Sequence, residues 1–206
     1  MSEVTCKGIF LICFITVFAI RFYFARLVKQ NKVVDGRVSA LENLLLFLTF
    51  LGMFILPLVG VFTPWFEFAA YDLPDWTGWL GTVVFIFAIG LFWRSHTDLG
   101  QNWSASLEVR ENHALIETGL YQYIRHPMYA AFWLWGIAQV LLLHNWISGL
   151  SYLVSFLPMY LLRVPQEEQM MIDTFGQQYL EYTTRTGRVI PKILFTLSRF
   201  LSFSKE

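Results

Sequence analysis

The sequence has little charge and almost no cysteine. Charged residues make up 15% of its 206 residues, whereas soluble domains average about 25%, and the formal net charge is zero. A neutral chain offers no basic face that would neutralise phosphates, so a nucleic-acid partner is not expected. The two cysteines, Cys6 and Cys13, are more consistent with packing or lipid-facing thiols on one helix than with a disulfide.

The signatures of several enzyme classes are also missing. The chain contains no GxSxG, HExxH or CxxC motif, and no GxGxxG follows a strand-like segment. A nucleophile-elbow hydrolase, a zinc protease and a dinucleotide-binding or soluble methyltransferase glycine loop are therefore not indicated. The four histidines are scattered without ligand spacing, so no metal cofactor is expected.

Apolar residues, by contrast, are abundant: they make up 56% of the chain, and the mean hydropathy is +0.50. Five apolar segments, each near the lower limit of about 17–25 residues needed to cross a bilayer, predict five transmembrane helices in one all-α, polytopic domain over 1–206. Their ranges are 8–24, 44–62, 76–93, 128–143 and 146–162. Only His144 and Asn145 separate the last two segments, which predicts a tight antiparallel hairpin.

The basic residues predict an orientation. Lys and Arg cluster after the first and third segments and from residue 163 onward, whereas the connection 63–75 carries only acidic charges. The positive-inside rule then predicts an outside N-terminus and a cytosolic C-terminus, in the cell membrane if the source is prokaryotic. Two cytosolic segments, 94–127 and 163–206, are therefore expected to meet at the membrane and to form a cofactor pocket there.

Charged and aromatic residues are concentrated where these two segments meet the apolar spans. The first segment leads into RHPMY, 125–129, and the second opens with Arg163, Pro165, Glu167 and Glu168. Pro165 can begin a new helix whose first turn carries both glutamates. If the helix continues instead, Arg163 and Glu167 lie four positions apart on one face. They can then pair with each other, or divide a charged ligand between a guanidinium and a carboxylate.

Four motifs in this order resemble the isoprenylcysteine carboxyl methyltransferase family of integral membrane enzymes. They are DLGQNWS at 98–104, RHPMY at 125–129, R-x3-EE from Arg163, and FGxxYxxY at 175–182. The resemblance covers about 93–191, the expected catalytic part, and the short five-span form looks like the prokaryotic members. It implies S-adenosylmethionine as methyl donor, with S-adenosylhomocysteine as product.

The resemblance also implies roles for residues at matching motif positions. Arg163 takes the acceptor-binding position and Glu167 is expected beside the donor's ammonium group, which makes these two the expected catalytic residues. The donor site is expected to consist of Glu167 together with Glu108, His113, Ala114, Leu115, Ile116, Tyr121, His126, Pro127, Met128 and Tyr129. Glu108 departs from the eukaryotic pattern, which has an amide there, but a carboxylate can still accept a hydrogen bond from the adenine amine.

The expected reaction is methyl transfer to the carboxylate of an isoprenylated cysteine or a similar lipophilic acid, among membrane lipids and without an obligate protein partner. A carboxylate is ionised at pH 7 and needs no general base. Two alternatives stay open. A membrane methyltransferase acting on a phospholipid amine or a small thiol would share the RHPxY and EE elements. A sterol-reductase-like enzyme would need more Lys and Arg for an additional phosphate than 94–127 supplies.

Overall fold

The computed structural model describes residues 1–28, 33–36, 39–100, 108–110 and 114–192, and these are predominantly helical. The helices are α1 (Glu3–Val28), α2 (Ala40–Phe50), α3 (Leu56–Phe62), α4 (Trp76–Leu99), α5 (Pro127–Leu143), α6 (Ser151–Phe175) and α7 (Gln177–Arg185). Two short strands, β1 (Val33–Gly36) and β2 (Glu108–Arg110), pair antiparallel. The predicted helical class is confirmed. The short two-stranded sheet was not predicted from the sequence.

Three helical stretches are long and apolar enough to cross a bilayer: Glu3–Leu27, Ala40–Phe62 and Trp76–Leu99. They correspond to the first three predicted spans. α5 is a shorter apolar helix of 17 residues. α6 begins with an apolar stretch, 151–162, and continues into a charged one. The fourth and fifth spans therefore stay predictions.

The second stretch is interrupted by a π-helical turn, Leu51–Ile55, between α2 and α3. Pro57 follows this turn and has no N–H to donate to the carbonyl groups behind it. The Gly52 carbonyl instead accepts a hydrogen bond from Ser151 Oγ on α6, at 2.7 Å. A Cβ at Gly52 would lie within 2.4 Å of the Ser151 carbonyl oxygen, so only glycine allows this close approach between the two helices.

The connection between α5 and α6 is longer than the sequence predicted. His144, at a left-handed φ of 44°, ends α5, and α6 starts only at Ser151. Asn145 holds the intervening turn, because its side-chain oxygen accepts hydrogen bonds from two backbone N–H groups of that turn, at 2.9 and 3.0 Å. The two-residue hairpin was therefore wrong: a side-chain-capped turn occupies the first residues of the predicted fifth span.

Pro165 does not begin a new helix. α6 runs without interruption through Pro158 and Pro165 and ends at Phe175, before Gly176 at a φ of 54°. The interpretation of the two glutamates as charges in the first turn of a separate helix was therefore wrong. The continuous helix places Arg163 and Glu167 on one face, as the alternative interpretation required.

A column of buried aromatic rings connects α1, α4, α5 and α6. The rings of Phe10, Phe85, Trp135, Tyr152 and Phe156 follow one another at centroid distances of 5.4 to 6.0 Å. These separations and their tilted or edge-on geometries are those that aromatic pairs favour. The column fixes the relative positions of the four helices, and so of the ends that carry the charged residues.

Candidate functional site

A cavity of about 460 Å³ lies among α1, α2, the π-helical turn, α4, α5, α6, α7 and the connection before α5. One part of its wall is apolar and comes from the spans, including Val17, Phe18, Leu46, Met53, Phe54 and Phe156. Another part is polar and includes Tyr121, Arg125, His126, Tyr129, Arg163, Glu167, Tyr179 and Tyr182. A single cavity thus combines an apolar wall within the spans with a charged wall at their ends.

The RHPMY motif is held in place by backbone pairing with the residues after α7. The Arg125 N–H donates to the Gly187 carbonyl and the His126 N–H donates to the Arg188 carbonyl, both at 2.8 Å. Pro127 then begins α5 at a position where a missing N–H costs no helical hydrogen bond. This pairing turns the chain so that the His126 side chain lines the cavity.

Glu168 joins the two segments by ion pairs. Its carboxylate lies 3.0 Å from Arg125 Nη2 and 2.7 Å from Arg188 Nη2, and Arg125 also donates to the Thr186 carbonyl at 2.6 Å. Burial would raise the pKa of Glu168, but the His126 ring and the two guanidinium groups outweigh it and lower that pKa to about 2. Glu168 does not line the cavity, so its role is to hold the walls together.

Arg163 and Glu167 meet at the cavity wall together with two residues of RHPMY. Arg163 Nε donates to Glu167 Oε1 at 2.9 Å, and Tyr129 Oη donates to the same oxygen at 2.8 Å. His126 Nδ1 lies 3.6 Å from Glu167 Oε2. The pairing of Arg163 with Glu167, one of the two possibilities in the sequence, is therefore present, and all four side chains line the cavity.

Two charged residues of this site were missed by sequence reasoning. Glu42 on α2 is buried, with Oε1 3.2 Å from Arg163 Nη1, and Arg21 on α1 lines the cavity. The sequence did contain a signal for these two residues, because a charged side chain within or beside a membrane span is energetically costly and usually functional. Arg21 falls within the predicted first span, and Glu42 lies at the edge of a second span that is otherwise uncharged.

The connection before α5 is anchored by Asp98 at the end of α4. Asp98 pairs with Arg94 at 2.9 Å and accepts a hydrogen bond from the Leu120 N–H at 2.8 Å. Gly119, at a φ of 62°, packs on this carboxylate so closely that a Cβ would lie 2.2 Å from Asp98 Oδ2. The contact fixes the turn that carries Tyr121 into the cavity wall.

The tyrosines of FGxxYxxY complete this wall. Tyr182 Oη donates to the Tyr121 carbonyl at 2.6 Å, which docks α7 against the connection. Burial raises the pKa of Tyr121, Tyr179 and Tyr182. These phenols are therefore neutral at neutral pH and contribute polar but uncharged surface.

Most of the predicted site residues meet at this cavity. Those that line it are Ala114, Leu115, Ile116, Tyr121, His126, Met128, Tyr129, Arg163 and Glu167. Pro127 starts α5 beside them. Glu108 belongs to β2, although its side chain is outside what the structure describes, and His113 lies outside the described residues. Within the described ranges, no group of three or more His, Cys, Asp or Glu side chains is arranged to hold a metal ion.

The fold combines three helical stretches long and apolar enough to cross a membrane with a cavity whose charged wall lies at the helix ends. The family model described as the isoprenylcysteine carboxyl methyltransferase (ICMT) family matches residues 79–173. This part of the chain resembles that family, and the resemblance predicted from the motifs is confirmed.

Named relatives agree with the family match. The chain is 33% identical over 94 residues to protein-S-isoprenylcysteine O-methyltransferase B of Arabidopsis thaliana, which covers 45% of this chain and 48% of that protein. It is 28% identical over 144 residues to the Homo sapiens protein-S-isoprenylcysteine O-methyltransferase, covering 66% of this chain and 51% of that protein. The chain thus spans about half the length of these curated relatives.

A solved structure of the eukaryotic intramembrane Ras methyltransferase ICMT is similar to the present fold. The TM-score is 0.51 at 25% sequence identity, and the match covers 75% of this chain and 53% of that one. The similarity therefore extends beyond the motif region to the arrangement of helices around it.

Proposed function

We propose that this chain transfers a methyl group from S-adenosylmethionine to the carboxylate of an isoprenylated cysteine or a similar lipophilic acid. The observation that carries the proposal is the composition of one cavity. Its apolar wall suits a prenyl chain, and its charged wall holds a guanidinium that suits a carboxylate. The names of the relatives, isoprenylcysteine O-methyltransferases, agree with this substrate class.

The polar wall fits the donor by its chemistry. A cavity of about 460 Å³ falls within the roughly 300–1,000 Å³ of ordinary ligand sites. His126 lines the cavity, with Nδ1 3.6 Å from Glu167 Oε2 and Nε2 3.5 Å from Glu168 Oε1, so its ring adds polar surface that is held against both carboxylates. Glu167 is the carboxylate that would face the donor's ammonium, and the backbone of 114–116 with Tyr121 would border the adenosyl part. When bound, the donor supplies an electrophilic methyl group on a sulfonium.

The charge balance of the cavity favours a carboxylate acceptor. The cavity is lined by Arg21, Arg125, Arg163 and Glu167. Glu42 pairs with Arg163, and Glu168 pairs with Arg125. Together with Arg188, which also pairs with Glu168, these seven charges sum to +1. The donor adds a further net positive charge, and a carboxylate acceptor compensates this added charge. A neutral zwitterionic phospholipid would leave that charge uncompensated, and its ammonium would first have to lose a proton.

The chain's own residues would then act mainly by positioning. Arg163 would fix the direction of the acceptor carboxylate, and Tyr129 and Arg163 together hold Glu167 in place. Alignment of two reactants in a closed site can contribute as much as about 7–11 kcal/mol to the barrier reduction. No general base is needed, because the acceptor is already ionised at pH 7.

The proposal is tested by transfer of labelled methyl from S-adenosylmethionine to N-acetyl-S-farnesylcysteine, with the purified protein in lipid nanodiscs. The expected product is a base-labile methyl ester of the cysteine compound, with no label on phosphatidylethanolamine assayed in parallel. Label found only on the phospholipid amine would show that the acceptor is an amine and not a carboxylate. Absence of label from both, with the donor bound, would overturn the acceptor assignment.

A further inference from the structure

Glu42 is a buried carboxylate whose bonding is incomplete. It lies in the first turn of α2 with only 5% of its surface exposed. Its Oε1 is 3.2 Å from Arg163 Nη1, yet neither of its oxygens accepts a hydrogen bond from the described residues. A buried carboxylate ordinarily accepts several hydrogen bonds, because an unsatisfied charge at low dielectric is costly. Glu42 is therefore held by charge and not by directed hydrogen bonds.

The other carboxylate on Arg163 is bound much more firmly. Glu167 Oε1 accepts two hydrogen bonds, one from Arg163 Nε at 2.9 Å and one from Tyr129 Oη at 2.8 Å. Its Oε2 faces the His126 ring. A third carboxylate arriving at Arg163 would therefore displace the weaker partner, Glu42, before it displaces Glu167.

We propose that Glu42 is a positioning residue of the acceptor site, which competes with the acceptor carboxylate for Arg163 and recovers Arg163 once that carboxylate is methylated. The inference rests on the proposed function. Before an acid binds, Glu167 pairs with the Nε side of Arg163 and Glu42 pairs with its Nη1. When an acid binds, its carboxylate takes the Nη1 position and Glu42 yields.

The reaction itself reverses this competition. Methyl transfer forms one O–CH3 bond and breaks one S–CH3 bond, and the electron pair of the broken bond stays on sulfur. The negative charge of the acceptor and the positive charge of the sulfonium disappear together. A neutral ester is a much poorer partner for a guanidinium than a carboxylate. Glu42 then pairs with Arg163 again, so the site releases the ester and stays selective for the acid.

The test compares binding of N-acetyl-S-farnesylcysteine and of its methyl ester, each in the presence of S-adenosylhomocysteine, which supplies no methyl group. In Glu42→Gln the acid should bind at least about fivefold tighter, and the ester within about twofold of wild type. Glu181→Gln, on the exposed side of α7, is the matched control and should change neither. Unchanged or weaker acid binding, or equal tightening of acid and ester, would overturn the proposal.

A second variant distinguishes direct competition for Arg163 from a long-range effect of the Glu42 charge. It also provides a test if Glu42→Gln does not fold. Glu42→Asp keeps the charge but shortens the side chain by one methylene, so its reach to Arg163 is lost. Direct competition predicts tighter acid binding here as well, whereas wild-type binding would contradict it. Methylation of the acid by wild-type protein is measured in the same series. If wild type methylates the acid and the variants show no effect, only the role of Glu42 fails.

Discussion

Arg163 contacts two carboxylates that come from different helices, Glu167 one turn further along α6 and Glu42 on α2. Removing the guanidinium altogether would leave the buried Glu42 carboxylate without its partner, at a cost of about 3–5 kcal/mol. Truncation to alanine would therefore mix a loss of stability with a loss of function. Substitutions that keep volume or charge test the roles of these side chains more cleanly.

Glu167→Gln is expected to weaken binding of the methyl donor by about 10- to 100-fold, because a charge-assisted hydrogen bond is worth about 1.5–3 kcal/mol. The amide keeps the shape of the side chain and can still accept from Tyr129, whose bond to Glu167 is 2.8 Å long. Isothermal titration of S-adenosylmethionine measures the effect. Donor affinity equal to that of wild type would remove Glu167 from the donor site.

Glu168→Gln is expected to lower the melting temperature by an amount that depends on pH. The pKa of Glu168 falls from 4.5 to about 2 in the folded protein. A depressed carboxylate pKa contributes stability that is fully present above the unfolded-state value and is lost as pH falls through the folded-state value. Wild type and variant should therefore differ most above about pH 4.5 and converge toward pH 2. Parallel melting curves over this range would contradict the assignment of Glu168 as the ionic link to Arg125 and Arg188.

At the scale of structural elements, the conformation of the connection before α5 depends on the turn at Gly119. Gly119 adopts a left-handed φ of 62° and lies against the Asp98 carboxylate, which binds the Leu120 N–H. A side chain there would have to displace that carboxylate and adopt an unfavourable backbone conformation. Tyr121, two residues later, would lose its fixed place in the cavity wall.

Gly119→Ala is expected to destabilise the protein by more than the roughly 1–2 kcal/mol of left-handed backbone strain alone, because the clash adds to it. It should also weaken donor binding. Gly90→Ala on α4 is the matched control, since no atom lies within 4 Å of a Cβ at that position. Thermal unfolding in detergent measures both variants. A Gly119→Ala protein as stable as Gly90→Ala would contradict the structural role of the turn.

For the whole molecule, charge distribution in the sequence predicts which side of the membrane carries the site. The connection 63–75 is acidic, whereas the residues around the charged wall of the cavity include many Arg and Lys. We propose that this wall faces the cytosol. The native cysteines are buried, so introduced cysteines can report on the orientation.

Asp72→Cys is expected to react with a membrane-impermeant maleimide added to intact cells, whereas Glu181→Cys should react only after permeabilisation. Both side chains are exposed in the structure, so lack of reaction would not come from burial within the protein. The wild-type protein controls for reaction at Cys6 and Cys13. The reverse labelling pattern would place the cavity's charged wall on the outer side.

Hydropathy located the three helical stretches that are long and apolar enough to cross a bilayer. The family resemblance supplied the expected site residues, of which those from Ala114 to Glu167 named above line the cavity, while their roles stay predictions. Contacts between segments far apart in the sequence could not be predicted from local pattern. The pairing of Glu42 with Arg163, and of Arg125 with the residues after α7, depends on how helices pack in three dimensions. The turn at Asn145 was missed because an apolar run alone does not reveal a side-chain cap.

The most direct test of the account is the effect of Arg163→Lys on acceptor and donor measured separately. Lysine keeps the charge but loses the planar fork that a carboxylate prefers. We predict that kcat/KM for N-acetyl-S-farnesylcysteine falls by about 10- to 100-fold while the Kd of S-adenosylmethionine stays within about threefold of wild type. Arg185→Lys, at an exposed position of α7, should behave as wild type. Full turnover in Arg163→Lys, or equal losses in turnover and donor affinity, would contradict the placement of the acceptor carboxylate at Arg163.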